Sequence, residues 1–146
     1  MKKRLIIVDD EAMLASMLTD FFSMLSYEVH CALDWEAASE LMQDNQYDGI
    51  VLDLRLSGGS SEDGLKHVQE ARERYPMAWM ILQTGYKNEE VQTEAMKLGA
   101  DLVLEKPVQL QRLRNLLVEL EMQYAVRMQG HAVQAVQEVA SVEAIA

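Results

Sequence analysis

The sequence predicts an α/β protein of three layers, in which a doubly wound parallel sheet of five strands lies between helices on both of its faces. Two observations predict this class. Short runs rich in Ile, Val and Leu alternate along the chain with longer segments in which apolar residues recur at helical spacing. The short runs also lack an alternation of polar and apolar residues, which is typical of strands buried on both faces of a parallel sheet.

Each predicted strand is followed by a predicted helix, and several helix ends carry recognisable signals. Asp34 and Asn88 are suited to cap the second and fourth helices, while Pro76 and Gly99 follow the third and the fourth. The predicted strands are residues 5–8, 27–32, 49–52, 78–83 and 102–104. The predicted helices are residues 11–25, 35–44, 62–75, 89–98 and 109 onward.

The composition argues against several classes of function. Of the 146 residues, 49% are apolar and 25% are charged, as in a globular domain that folds alone. The net charge of −11 opposes direct nucleic-acid binding, because a phosphate backbone repels a field of that sign. The first apolar run is too short for a signal peptide and no run is long enough to span a bilayer. We therefore expect no membrane contact and a cytoplasmic location.

The sulfur-containing residues suggest no chemistry of their own. Cys31 is the only cysteine, which excludes an intramolecular disulfide, and we expect an unreactive thiol in the core. Met13, Met17 and Met24 recur at packing intervals on the first predicted helix, and we expect them to fill the core and its rim.

Polar side chains stand at the ends of four predicted strands. Asp9 and Asp10 follow the first strand, Asp53 the third, Thr84 the fourth and Lys106 the fifth. The carboxyl ends of parallel strands share one edge of the sheet, where open α/β folds bind ligands. Three carboxylates gathered there favour a hard divalent cation, and Mg²⁺ suits a site that offers a few oxygens. Because Lys106 and Thr84 could neutralise phosphoryl oxygens, the set predicts a phosphoryl-transfer site with Asp53 as the nucleophile.

Four motifs resemble the receiver domain of bacterial two-component response regulators, chemotaxis regulators included, over residues 3–122. They occur in the family's order and with similar separations, and they are Val8-Asp9-Asp10-Glu11, Leu52-Asp53-Leu54, Thr84-Gly85 and Lys106-Pro107. The resemblance implies a flavodoxin-like (βα)5 fold with strand order 2-1-3-4-5 and a cis peptide bond before Pro107. It also implies that Asp10, Asp53 and the backbone carbonyl of Arg55 bind Mg²⁺, with Asp9 acting directly or through water.

The resemblance further implies a switch that acts on partner proteins, rather than an enzyme that turns over a substrate. The phosphoryl donor would be a sensor histidine kinase or a phosphotransfer protein of a phosphorelay, and the target a downstream effector protein or domain. The main alternative is a module that binds a partner or dimerises without phosphorylation, and the chain could form a homodimer in either case. An enzyme or flavin binder on this fold is disfavoured, because the adjacent acids after the first strand repel a phosphate unless metal is bound.

The sequence departs from the family pattern beside the expected site. Ser57 stands where receivers usually carry a proline, in a Ser/Gly-rich loop, and Val103 stands where an aromatic residue commonly rotates during switching. Arg55 and Tyr86 stand at positions that, by the resemblance to receivers, flank the path of an attacking water. Our hypothesis is that these two long side chains shield the acyl phosphate and slow its hydrolysis. Tyr86 could also take part of the switching role of the missing aromatic residue.

The last part of the chain has an ambiguous pattern. Val126, Val133 and Ala140 recur every seven residues, but the companion positions are polar, so a coiled coil is only partly indicated. Gly130 is expected to break or bend any helix there. We expect residues 1–122 to form the receiver-like domain and residues 123–146 to be a helical extension or a linker.

Overall fold

A computed structural model describes the backbone of residues 2–56, 59–86 and 88–145, and side chains as far as Gly130. Its sheet is parallel and five-stranded, with the order β2-β1-β3-β4-β5. The strands are β1 (Arg4–Val8), β2 (Glu28–Ala32), β3 (Gly49–Asp53), β4 (Trp79–Thr84) and β5 (Leu102–Glu105). The helices are α1 (Ala12–Met24), α2 (Trp35–Asp44), α3 (Ser61–Arg74), α4 (Glu89–Lys97) and α5 (Leu110–Ile145). The predicted fold class and strand order are confirmed.

Two apolar clusters cover the two faces of the sheet. Alternate strand residues point to opposite faces, so in β1 Ile6 and Val8 join one cluster while Leu5 and Ile7 join the other. The first cluster packs against α2, α3 and α4, and the second packs against α1 and α5. Burial of each large aliphatic side chain contributes about 1.5–3 kcal/mol, which makes the central layer the rigid part of the molecule.

The helix boundaries follow from local capping. The Asp34 side chain accepts a hydrogen bond from Ala37 N at 2.7 Å, and the Asn88 side chain accepts one from Val91 N at 3.2 Å, as predicted. Gly99, just after α4, has a φ of +120°, a conformation that side chains with a Cβ rarely adopt. At α3, Ser60 and residue 63 form a capping box that we did not predict.

Two predictions about individual residues were wrong. Cys31 is exposed, because β2 is an edge strand that pairs only with β1 in the described sheet. Met13 and Met24 are 89% and 85% exposed and Met17 is 41% exposed, because α1 turns a different face toward the sheet. The spacing of these methionines is compatible with either face, so only the orientation of the packed helix decides which is buried.

Helix α5 is 36 residues long. It continues through Gly130, so the expected break at that residue is wrong. Tyr124 is 6% exposed and belongs to the second apolar cluster, so α5 still packs on the sheet at that point. The division of the chain after residue 122 stays a prediction. None of the described helices has both the length and the apolar character required to cross a bilayer.

Candidate functional site

The carboxyl ends of β1 and β3 bring three aspartates together. Because β1 and β3 pair in parallel, the residues that follow Val8 and Leu52 emerge side by side. One carboxylate oxygen each of Asp9, Asp10 and Asp53 lies within 4.8 Å of the others. Asp9 is fully buried and Asp53 is 4% exposed, whereas Asp10 lies at the surface. The predicted acidic cluster therefore exists, with two of its members deep in the protein.

Lys106 reaches this cluster from the end of β5. Its Nζ lies 2.9 Å from Asp53 Oδ2, 3.2 Å from Asp9 Oδ2 and 3.0 Å from Glu11 Oε1. Burial by itself lowers the pKa of Lys106, but the hydrogen bonds to Asp53 and Glu11 and the charges of Asp53 and Asp9 outweigh it. The pKa of Lys106 is thus raised above its ordinary value, and the side chain is a permanent cation inside the cluster.

The surroundings of Asp9 disfavour the charged form of its carboxyl group. Burial raises the pKa of Asp9 and the charge of Asp53 adds to this, against the opposing effects of Glu11 N–H and Lys106. Asp9 Oδ1 accepts a hydrogen bond from Glu11 N at 2.8 Å, whereas its buried Oδ2 has an ion-pair contact without hydrogen-bond geometry. A buried carboxylate oxygen without a directed donor, among other carboxylates, fits a hard divalent cation that takes oxygen ligands.

Asp53 lines an open cleft of about 450 Å³ at this edge of the sheet. Its Oδ1 accepts a hydrogen bond from Arg55 N at 3.0 Å, which orients the carboxylate. The guanidinium carbon of Arg55 lies 5.9 Å from the centre of the Tyr86 ring, and both residues line the cleft. The two side chains are therefore at the rim, as the shielding hypothesis requires. The role predicted for the Arg55 carbonyl stays a prediction.

Thr84 lies at the same edge but has different partners from those expected. It is 1% exposed, and its Oγ1 accepts a hydrogen bond from Tyr86 N at 3.1 Å and donates one to Tyr86 O at 2.9 Å. The hydroxyl is thus engaged with the following turn rather than with the carboxylates.

Val103 is half-buried against the first apolar cluster. The Lys106–Pro107 peptide bond is cis, as predicted. Ser57 lies outside the described residues.

Two residues of the site were not predicted. Glu11 is the third anion on Lys106, although it is 95 residues away along the chain. Its only signal in the sequence is that it follows the pair of aspartates. Gln83 is the register partner of Asp53 in the neighbouring strand, is 2% exposed, and its Oε1 has no hydrogen-bond partner among the described residues. A glutamine that follows the apolar run Trp79–Leu82 was the available signal.

Comparison with known proteins agrees with this geometry. The model of the response regulator receiver domain family matches residues 5–118. The regulatory protein AtoC of Escherichia coli strain K12 is 34% identical over 120 residues, which are 82% of this chain and 25% of AtoC. A Burkholderia pseudomallei response regulator, solved with a phosphorylated aspartic acid, a calcium ion and citrate, is 25% identical with a TM-score of 0.73. The match covers 91% of this chain and 75% of that one.

A further solved structure, NtrX of Brucella abortus in complex with ADP, has a TM-score of 0.78 at 22% identity, which supports the fold. The match covers 91% of this chain and 29% of NtrX. This chain thus spans about a quarter of the length of AtoC, and less than a third of NtrX is matched. The family match includes all the strand-end residues described above, and the acidic pocket is where receiver domains bind a metal. The chain belongs to the response regulator receiver domain family.

Proposed function

We propose that this receiver domain accepts a phosphoryl group on a carboxylate oxygen of Asp53, with Mg²⁺ held by the acidic cluster, and thereby changes its interactions with other proteins. One observation carries the proposal. Asp53 lines an open cleft, its Oδ2 is 2.9 Å from the Lys106 ammonium, and carboxylate oxygens of Asp9 and Asp10 lie within 4.8 Å. A nucleophile, a fixed cation and oxygen ligands for a metal thus share one edge of the sheet.

The chemistry is a displacement at phosphorus. An Asp53 oxygen attacks the phosphorus of a phosphohistidine, the O–P bond forms, and the P–N bond breaks, with its electron pair passing to the imidazole nitrogen. Lys106, held by Asp9 and Glu11 as well, remains close enough to attract a phosphoryl oxygen. Mg²⁺, when bound by Asp9, Asp10 and Asp53 with the Arg55 carbonyl, supplies further positive charge for those oxygens. The phosphorylated aspartic acid and calcium ion of the Burkholderia pseudomallei relative support this assignment.

The partners follow from the chemistry and from the relatives. The donor is a sensor histidine kinase or a phosphotransfer protein, and the target is a downstream effector protein or domain, in the cytoplasm. The greater length of AtoC and NtrX supports an effector outside the matched segment. The domain works stoichiometrically, since each phosphorylation changes its own state rather than releasing a product, and in this sense it is not an enzyme.

The decisive experiment compares the wild type with Asp53→Asn after incubation with acetyl phosphate and Mg²⁺. We expect intact-mass spectrometry to detect one added phosphoryl group in the wild type and none in the variant. Asp20→Asn, a matched change at an exposed aspartate of α1, should be phosphorylated like the wild type. Equal labelling of wild type and Asp53→Asn, or no labelling of either, would contradict the proposal.

Shielding of the phosphorylated site is a separate part of the proposal. Arg55 and Tyr86 stand together at the rim of the cleft, so we propose that they restrict the approach of water to the acyl phosphate. Arg55→Ala and Tyr86→Ala should each shorten the lifetime of the phosphorylated protein, measured after removal of the phosphoryl donor. If the wild type loses its phosphoryl group within seconds and neither substitution changes the rate, the shielding hypothesis is wrong.

A second candidate function is an interaction module that assembles without phosphorylation. Val118, Met122 and Val126 follow each other at intervals of four residues on α5 and are 52%, 65% and 67% exposed. Such an apolar row on an extended helix favours pairing with a second copy of the chain. Light scattering should then show a dimer for both the wild type and Asp53→Asn, and a monomer for Met122→Glu. Met13→Glu, on the exposed face of α1, is the control, and a wild type that is monomeric at all concentrations would remove this candidate.

A further inference from the structure

Lys106 and a divalent metal would compete for the same acids. The ammonium of Lys106 has three donor hydrogens, and three acids surround it, Asp53 at 2.9 Å, Glu11 at 3.0 Å and Asp9 at 3.2 Å. Asp9 and Asp53 also belong to the group whose carboxylate oxygens lie close enough together to hold an ion. Two cations on the same carboxylates repel each other, so a bound metal would drive the ammonium out of the cleft unless another anion holds it.

Glu11 is an acid that holds Lys106 without belonging to that group. Its Oε1 accepts a hydrogen bond from Lys106 Nζ, whereas the contact of the ammonium with Asp9 Oδ2 lacks hydrogen-bond geometry. The Glu11 side chain is 61% exposed and lines the same cleft as Asp53. Among the described residues, the acids placed to share one ion are the three aspartates. Glu11 thus offers Lys106 an anion that a metal at the aspartates does not occupy.

The backbone of Glu11 is fixed on both sides. Its N–H donates to Asp9 Oδ1 at 2.8 Å, and its carbonyl accepts a hydrogen bond in the first turn of α1 at 2.9 Å. Glu11 is the N-cap residue of that helix, yet its side chain makes no capping hydrogen bond. Short polar side chains are preferred for capping, as Asp34 and Asn88 illustrate at α2 and α4. The longer glutamate side chain contacts Lys106 instead.

We propose that Glu11 is a positioning residue, which keeps the Lys106 ammonium at the cleft when Mg²⁺ is bound by the aspartates. Lys106 then releases Asp9, retains its hydrogen bond to Glu11 and remains beside Asp53, so that the lysine and the metal both attract phosphoryl oxygens. Without Glu11, the lysine holds the aspartates more tightly and they bind Mg²⁺ more weakly. This inference rests on the proposed function, because it requires that the acidic cluster binds Mg²⁺.

The test measures the Mg²⁺ dissociation constant of the full chain by NMR titration. The reporter is the amide signal of Arg55, whose N–H donates to Asp53 Oδ1. We expect Glu11→Gln to weaken Mg²⁺ binding roughly tenfold, at the lower end of the effects of outer-shell partners, because Glu11 is exposed to solvent. Glu73→Gln, a change at an exposed glutamate in the last turn of α3, is the control and should bind Mg²⁺ like the wild type.

Two comparisons separate an effect through Lys106 from the direct attraction of the Glu11 carboxylate for the metal. In a Lys106→Met background the direct attraction remains but the lysine no longer competes, so the effect of Glu11→Gln should fall to roughly threefold. Glu11→Asp keeps the charge but shortens the side chain by one methylene, which withdraws the carboxylate from Lys106. This variant should weaken Mg²⁺ binding roughly threefold, and it decides the question alone if Lys106→Met does not fold.

The possible failures are distinct. Equal effects of Glu11→Gln in the two backgrounds, or wild-type Mg²⁺ affinity in Glu11→Asp, would show that Glu11 acts through its charge alone. Either result overturns the inference while the proposed function stands, and so does an unchanged affinity in Glu11→Gln. If the Arg55 signal of the wild type does not respond to Mg²⁺, the metal site of the proposed function fails and this inference fails with it.

Discussion

Removal of the Lys106 charge should destabilise the domain in a way that depends on pH and on divalent metal. Lys106 is 12% exposed at its side chain and contacts two buried carboxylates, Asp53 at 2.9 Å and Asp9 at 3.2 Å. Lys106→Met keeps much of the length and the apolar stem of the side chain but leaves both acids without their cation. The variant therefore isolates the ion pairs from the packing.

The expected loss can be bounded from two directions. At an effective dielectric constant of about 20, a pair of unit charges at these distances attracts by roughly 5–6 kcal/mol before desolvation is subtracted. A buried acid that has lost its cation can also become neutral by taking up a proton. For an ordinary pKa of 3.8, protonation at pH 7.5 costs about 5 kcal/mol, so the loss of stability for one acid cannot exceed about that amount. Removal of one partner from a buried pair typically costs about 3–5 kcal/mol, and we expect a value in that range.

The pH dependence has a definite sign. Burial already raises the pKa of Asp9, and loss of Lys106 removes one of the effects that lower it. Between the unfolded value of 3.8 and the raised folded pKa, the folded variant binds more protons than the unfolded chain. Its stability must therefore fall as the pH rises through this window, by up to about 1.4 kcal/mol per pH unit for one acid. Lowering the pH, or adding Mg²⁺, should restore part of the loss.

The assay is urea denaturation of the wild type and Lys106→Met at pH 5.0, 6.0 and 7.5, with and without Mg²⁺, compared at each pH. Lys97→Met, an exposed lysine in the last turn of α4, is the control and should lie within about 0.5 kcal/mol of the wild type. A loss at Lys106→Met that is the same at every pH and unaffected by Mg²⁺ would show that the lysine stem, not its charge, matters. No loss at all would refute the ion-pair reasoning.

Two further substitutions test the frame that carries the site. Arg72→Met leaves the partly buried carbonyl acceptors of Ala78 and Gly99 and the Asp101 carboxylate without their guanidinium donor. The free energy of unfolding in urea should therefore fall by about 3–5 kcal/mol, and an unchanged midpoint would contradict this. Gly64→Ala would place a Cβ 1.8 Å from Leu54 O, so thermal unfolding should occur at a lower temperature despite alanine's higher helix propensity. Gly85→Ala meets nothing within 4 Å and should not change it, and equal behaviour of the two variants would argue against the clash.

Much of the fold could be predicted because its signals are local. The apolar runs that become β1, β3 and β4 lack polar alternation, and Asp34 and Asn88 cap helices through atoms only three residues away. The site could be predicted for a related reason. In a parallel sheet, every residue that directly follows a strand emerges at the same edge, so Asp9 and Asp53 had to meet once the strands were assigned.

The partners of individual side chains could not be predicted in this way. Met13 and Met24 have a spacing compatible with a buried face, yet both are exposed, since the orientation of α1 is set by how Leu18 and Phe22 pack on the sheet. Cys31 is exposed because its strand lies at an edge, which is a property of strand order rather than of the strand's own residues.

The parallel α/β fold, and the acidic cluster at the strand ends with Asp53 in it, could be read from the sequence alone, because they depend on residue types and on the repeat of each element. The contact of Lys106 with Glu11 as well as Asp53, and the bonds of the Thr84 hydroxyl to Tyr86, became known from the folded structure. The physical reason is that a hydrogen bond or ion pair requires atoms to approach within about 3 Å in a suitable direction. That condition is met only when the sheet, the helices and the turns between them have packed together.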